Sequence, residues 1–157
     1  MKKLVVLVAI AVASVSAAET PGARTEIRVD APTEAATTSP ATLTVRTTRF
    51  GRMLFDGRGR ALYGFTRDRR GGPSQCYGAC AAAWPVYFAK GGLKAGAGVT
   101  QSLIRTTRRR DGRRQVTYNG WPLYYYAHER PGQVLCQDVE GFGGTWLVVG
   151  PNGQLVR

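Results

Sequence analysis

The chain has 157 residues, about the length of one domain. Its 22 Lys and Arg against 10 Asp and Glu leave a formal net charge of +12, and 43% hydrophobic residues are too many for a disordered chain and too few for a multi-span membrane protein. Three Cys and one His exclude a dense disulfide scaffold and a polyhistidine metal centre within one chain.

The first eighteen residues read as a secretory signal peptide. Lys2 and Lys3 form a positive start, residues 4–15 are an apolar run, and Ser16, Ala17 and Ala18 supply the small residues a signal peptidase cuts after. The run is shorter than the roughly 20 residues of a membrane-spanning helix. No Cys precedes Cys76. The expectation is therefore an exported protein, periplasmic or extracellular, with no lipid anchor and no transmembrane segment in its mature form. Residues 19–40 are rich in Ala, Thr, Pro and Glu and read as a flexible linker. Residues 41–157 hold 16 Arg and 2 Lys against 6 acids, so the positive charge belongs to the folded part.

In that part, residues 42–47 alternate and are β-branched, which predicts a strand. Residues 53–55 form a second short run, Asp56-Gly57-Arg58-Gly59 a turn, and residues 61–66 the returning strand. Helical signal is confined to residues 79–84, where Pro85 stops it. Asp111-Gly112 reads as a turn between strands. Residues 115–118 lead into Asn119-Gly120, a strong hairpin signal, with residues 123–127 as the return. Residues 145–149 form another strand, and Pro151-Asn152-Gly153 turns into a final short one.

Laying the chain on itself exposes a duplication. Residues 59–68 read G-x-x-L-Y-x-F-x-x-D and residues 120–129 read G-x-x-L-Y-x-Y-x-x-E, a shift of 61. Trp84 lies seven residues before Gly91, as Trp146 does before Gly153. The fold class predicted is mainly β: one small domain, residues 41–157, built from two hairpin-containing repeats at about 50–92 and 111–154. A pseudo-twofold relates them, and there is one short helical turn. Tyr63 and Phe65 share one strand face and Tyr124 and Tyr126 another, with Leu62 and Leu123 opposite. The four rings suit an inter-repeat core; the alternative is a solvent-facing platform for a ligand.

With these motifs the chain resembles a bacterial secreted-repeat family of predicted lipoproteins marked by a Y-x-(F/W/Y)-x-x-D motif. The resemblance rests on Tyr63-Gly64-Phe65-Thr66-Arg67-Asp68, Cys76-Tyr77-Gly78-Ala79-Cys80, Trp84-Pro85, Asp111-Gly112, Gln115-Val116-Thr117-Tyr118, Gly120, Pro122-Leu123-Tyr124 and Gly141-Phe142-Gly143-Gly144-Thr145-Trp146. It covers about residues 50–153 and implies export and a common fold, but no reaction, because the family's molecular function is unknown. Glu129 stands where the second motif would carry Asp, the lipid-attachment Cys is absent, and Cys136 falls where many members have none.

Export places the thiols in an oxidising compartment. A Cys76–Cys80 bridge is geometrically feasible, and Gly78 lets the segment turn. A bridge from either to Cys136 closes a longer loop, stabilising by about 4 rather than about 2 kcal/mol in the chain-entropy model. Connectivity does not follow from sequence; the resemblance favours the short pair. A metal site from Cys76, Cys80, Cys136 and His128 is the sharper alternative, but the last two ligands lack a spacing motif.

Asp68 and Glu129 occupy the same place in the two repeats. They read either as a paired-carboxylate site or as turn caps and partners of Arg69, Arg70 and Arg130, the structural account being favoured. His128 has no nucleophile beside it. Arg105, Arg108, Arg109, Arg110, Arg113 and Arg114 form a basic patch around the Asp111-Gly112 turn, with a second group at Arg58, Arg60, Arg67, Arg69 and Arg70. The leading reading is an exported, non-catalytic cell-envelope domain, binding or structural. No catalytic residue, cofactor or metal is expected, and the candidate binding residues are Tyr63, Phe65, Asp68, Tyr124, Tyr126 and Glu129. The expected partners are anionic envelope polymers or lipid headgroups; export argues against nucleic acid. The alternative is an extracytoplasmic thiol-redox or metal-handling protein that uses the cysteines.

Overall fold

A computed structural model describes residues 41–157; the expected signal peptide and linker lie outside the described residues. Strands β1 (Ala41–Thr48) and β2 (Gly51–Asp56) form an antiparallel hairpin, registered from Leu43 opposite Asp56 to Thr48 opposite Gly51. The chain turns at Gly59, where a positive φ of 83° lets its N–H reach the Asp56 carbonyl, and enters β3 (Tyr63–Phe65). Helix α1 (Ala79–Ala83) follows, and β4 (Leu93–Ala95) returns parallel to β1. A 3-10 turn, Gln101–Leu103, then leads to the second half. Its strands are β5 (Ile104–Arg108), β6 (Arg114–Tyr118), β7 (Trp121–Pro122), β8 (Val139–Gly141) and β9 (Gly144–Val148). The strands make three small sheets, ordered β2-β1-β4, β3-β9-β8 and β5-β6-β7. The protein is thus mainly β, as its alternation implies.

The duplication is visible in the hydrogen bonds. Hairpin β5–β6 repeats hairpin β1–β2, so each repeat begins one strand before the hairpin turns that the sequence makes obvious. Tyr63 and Tyr124 donate to each other's carbonyls at 2.9 and 3.0 Å, which puts the pseudo-twofold between them. From there each half borrows from the other. Strand β3 pairs with β9, Tyr63 opposite Val148 and Phe65 opposite Trp146. In the mirror arrangement Tyr124 bridges Val86, and the N–H groups of Tyr125 and Ala127 donate to Pro85 and Ala83. Likewise Leu54 donates to Val149 and Val116 to Tyr87, both at 2.8 Å. Neither repeat completes its own ladders, so an isolated half would leave unpaired strand edges.

This exchange corrects two sequence expectations. The returning strand of the first hairpin touches β2 only through the Phe55–Ala61 bridge and the Leu62 N–H, then crosses to β9. Residues 123–127 are not a continuous strand; Tyr124 is bridged to both Tyr63 and Val86, and β7 ends at Pro122. Both segments are wedged between short pieces of the other repeat, which leaves room for only a few ladder bonds.

Strand alternation then sorts the core. Tyr63, Phe65 and Tyr124 point into one cluster with Trp84, Trp146, Met53 and Phe55. Leu62 and Leu123 point into the other with Leu43, Leu54, Ile104 and Val116. The centre of the first cluster is a column of rings. Trp84 and Trp146 stack at 3.9 Å and 3°, Phe65 stacks on the far face of Trp146 at 4.1 Å, and Tyr126 packs against Trp84 at 5.1 Å. Tyr63 and Tyr124 meet the two indoles edge-on at 5.3 and 5.2 Å, a favoured geometry for aromatic pairs.

Candidate functional site

The four rings of the repeat motif are not a platform. Tyr63, Phe65 and Tyr124 are fully buried; only Tyr126 reaches the surface in part, with His128 against its edge at 5.4 Å. Their hydroxyls do something else. Tyr63 Oη donates to Glu129 Oε1 at 2.5 Å, and Tyr124 Oη donates to Asp68 Oδ2 at 2.7 Å. Each repeat's tyrosine therefore satisfies the other repeat's acid. Each acid also fixes its own following loop: Asp68 Oδ1 accepts the Gln75 N–H at 2.7 Å, and Glu129 Oε1 accepts the Leu135 N–H at 2.6 Å. Asp68 and Glu129 thus hold loops and cross the pseudo-twofold; neither forms an ion pair with the arginines that follow it in sequence.

Both acids are buried, Asp68 at 3% and Glu129 at 6% exposure. Desolvation is the largest influence on each and raises both carboxyls above the ordinary carboxylate range, against the opposing hydrogen bonds. Glu129 Oε2 has no partner among the described residues, which leaves its charge poorly compensated. Burial also pushes the phenols of Tyr63, Tyr87, Tyr124 and Tyr125 well up. The pH dependence follows from these directions. Between the unfolded carboxyl values, about 4, and the raised folded ones, the native state binds more protons. Stability is then fully present below pH ~4 from these groups and falls as pH rises through the folded values. A second fall begins above pH ~10, where phenols freed by unfolding ionise. Thermal midpoints across pH check this, and Glu129→Gln should make the first slope shallower.

Cys76 and Cys80 are joined by a disulfide, with Cα atoms 5.3 Å apart. Cys136 is a buried free thiol. The duplication explains its place: Cys76 and Cys136 each directly follow the residue whose N–H binds the repeat's acid. Burial, then the nearby Glu129, raises the Cys136 thiol, so it is a weak nucleophile. Among the described residues no group of three or more His, Cys, Asp or Glu is placed to hold a metal. The set of three cysteines and His128 is not assembled, because two of its sulfurs are bonded to each other.

The arginines divide. Arg105, Arg108, Arg110, Arg113 and Arg114 are exposed around the β5–β6 hairpin. Arg109 is not part of that surface: it is 4% exposed, donating to Ser74 Oγ at 2.6 Å, Gln115 Oε1 at 2.8 Å and the Cys76 carbonyl at 2.7 Å. It clamps the disulfide loop onto the second hairpin, a role its place in a basic run does not signal. Tyr77 carries both Arg109 and Arg110 over its ring, at 4.2 and 3.9 Å.

The acids are where the surface acquires its character. Of the six in residues 41–157, Asp56, Asp68 and Glu129 are buried. Asp111 is taken by Arg113 at 2.7 Å, the one ion pair among the described residues. Only Asp138 and Glu140 remain as exposed carboxylates outside an ion pair. The fold spends half of its acids on internal hydrogen bonds and leaves a surface with a strong excess of cations.

Residues 44–87 and 105–150 each match a family model described as a secreted repeat of unknown function. No curated protein and no solved structure matches the chain. No helix among the described residues is long and apolar enough to cross a membrane.

Proposed function

Because this chain belongs to that family of secreted repeats, which matches both of its halves, we propose that it is an exported, non-catalytic domain that binds anionic polymer of the cell envelope through its arginine surface. The inward placement of Asp56, Asp68 and Glu129 carries this reading. A carboxylate on the surface would screen neighbouring guanidinium groups and repel a polyanion, whereas one bonded to a core tyrosine does neither at close range. The remaining arginines present forked donors suited to phosphate and carboxylate. Asp56, Asp68 and Glu129 are occupied in internal hydrogen bonds and the free thiol of Cys136 is buried with its ionisation suppressed, which supports binding over catalysis at these groups.

Retention tests the reading. The mature exported protein should bind an immobilised anionic glycan at low salt and elute as the Debye length shrinks from ~10 Å at 0.1 M toward ~3 Å at 1 M. Arg105→Ala/Arg108→Ala/Arg114→Ala should elute earlier with only a small change in thermal midpoint, since all three side chains are exposed and the cross-strand bonds lost, from Arg114 Nε and Nη2 to Thr106 Oγ1, lie at the surface. Retention that survives high salt, or an unretained protein, contradicts the proposal. Preference for anionic lipid vesicles over the glycan would redirect it to headgroups.

A further inference from the structure

One cleft is built on the first repeat with Tyr125 of the second as part of its wall, and the equivalent place across the pseudo-twofold is filled. It has a volume of about 540 Å³ and lies between the turn after β2 and the segment that follows Trp84. Arg58, Arg60 and Lys90 supply its cations, and Tyr87, Phe88 and Tyr125 its rings. We propose that this cleft seats a single anionic sugar unit, a pyranose ring bearing a phosphate or a carboxylate. The inference rests on the polymer-binding reading and identifies where one unit of such a polymer is gripped.

Charge is the first argument. The cleft's acid, Asp56, has both oxygens engaged by the protein: Oδ1 accepts the N–H groups of Arg58 and Arg60 at 2.9 and 2.8 Å, and Oδ2 accepts the Tyr125 hydroxyl at 3.0 Å, while three cations line the same cleft. It therefore acts as the scaffold of the turn that carries two of the cations, and it ties that turn to the ring wall. The Arg60 guanidinium lies 4.1 Å over the Tyr125 ring. Its Nη2 donates to the Tyr126 carbonyl at 3.1 Å, while Nε has no acceptor among the described residues. Arg58 and Lys90 are exposed and both line the cleft.

Shape is the second. Tyr87 and Tyr125 are 5.3 Å apart at 58°, so together they form an angled apolar wall. Phe88 extends the wall and is itself covered by Arg113 at 4.0 Å. A cleft of this volume is within the usual range for small-ligand sites, in which apolar walls carry contact and a few polar groups fix orientation. A sugar ring offers an apolar C–H face for the wall, and its anionic substituent meets the cations.

Symmetry is the third. The counterpart of Tyr125 is Gly64, and Leu155 packs directly over it: a Cβ there would lie 2.5 Å from Leu155 Cδ2. The counterpart of Tyr87 is Val149, which is bridged to Leu155 by the chain's last turn. The second repeat thus fills with its own tail the place where the first holds rings and cations. The second repeat closes without rings or cations at these places, so the repeat architecture does not by itself require an open cationic cleft in the first.

The test uses the mature exported protein and four probes: glucose 6-phosphate, glucuronate, glucose and inorganic phosphate. Calorimetry gives affinity, and the ring signals of Tyr87 and Tyr125 in NMR give location. The expected result is that the two anionic sugars bind and shift those signals, with glucose and phosphate at least about tenfold weaker. Arg58→Ala/Lys90→Ala should weaken the anionic sugars about tenfold or more at an unchanged thermal midpoint. No binding, phosphate binding as well as the sugar phosphate, or shifts confined to residues outside the cleft would each overturn the inference. Retention on the immobilised glycan is a separate measurement. A retained protein that ignores all four probes sinks the cleft and leaves the surface reading standing; an unretained protein that binds the anionic sugars sinks the surface reading and with it the cleft's assignment to a polymer.

Discussion

Trp146→Ala should lower the unfolding free energy by roughly 3–5 kcal/mol, the largest effect of any single truncation considered for this protein. Trp146 has no exposed surface and is stacked on both faces, by Trp84 at 3.9 Å and Phe65 at 4.1 Å, with the Tyr124 ring against its edge. Its backbone is pinned as well, because β9 pairs with β3 on one side and β8 on the other. Those ladders hold the neighbouring segments in place, so the cavity left by the indole cannot collapse easily, and the cost falls in the upper part of the range for aromatic truncation. The loss is also shared between halves, since Phe65 and Trp146 come from different repeats. Urea denaturation measures it; a loss below about 1 kcal/mol would mean that the ring column is not the core's centre.

The crossed tyrosine–acid bonds should produce the next largest effects. Tyr124→Phe removes the hydroxyl that Asp68 Oδ2 accepts and that also lies 2.7 Å from Ser74 Oγ. Tyr63→Phe strips Glu129 Oε1 of one of its donors. Each change leaves a buried acid short of a partner, at a cost of about 1–3 kcal/mol. Two double-mutant cycles, Tyr124→Phe with Asp68→Asn and Tyr63→Phe with Glu129→Gln, should each return a coupling of roughly 0.5–3 kcal/mol. The cross combinations, Tyr124→Phe with Glu129→Gln for example, should be closer to additive. Equal coupling in all four combinations would contradict the pairing seen here.

Much of this architecture was legible in the chain. The 61-residue offset, the turns at Asp56-Gly57-Arg58-Gly59 and Asn119-Gly120, and the alternation of Leu62 against Tyr63 all appear in the structure, because turn chemistry and strand period are local properties. What escaped is what depends on partners remote in sequence. Residues 123–127 have the composition of a strand, yet their neighbours are Tyr63 on one side and Pro85 and Val86 on the other, too short for a ladder. Strand β4 is three residues in a glycine-rich stretch and exists because β1 offers an edge. Arg109 looks like its neighbours Arg108 and Arg110, and only the folded chain brings Ser74, Gln115 and the Cys76 carbonyl around it.

The candidate site shows the same division. Asp68 and Glu129 stood out because they repeat, and repetition marks their structural work. The cleft residues Lys90, Tyr87 and Tyr125 went unselected, and Arg58 and Arg60 stood out only as members of a basic group. A signal for two of them was present in the alignment of the halves: Tyr125 falls opposite Gly64 and Tyr87 opposite Val149, positions where the repeats disagree in both size and polarity. In a duplicated domain, places where the copies agree report on the shared fold, and places where one copy departs are the better guide to a ligand.

The central claim is that this pair of repeats turns half of its acids inward and binds polyanions with the excess of cations left outside. It is tested most directly by the salt dependence of affinity, measured by titrating the mature protein against a soluble anionic glycan. The logarithm of the association constant should fall linearly with the logarithm of salt concentration, and the slope should lessen by roughly one for each arginine removed among Arg105, Arg108 and Arg114. An affinity indifferent to salt, or a slope unchanged when all three are replaced by alanine, would contradict the account.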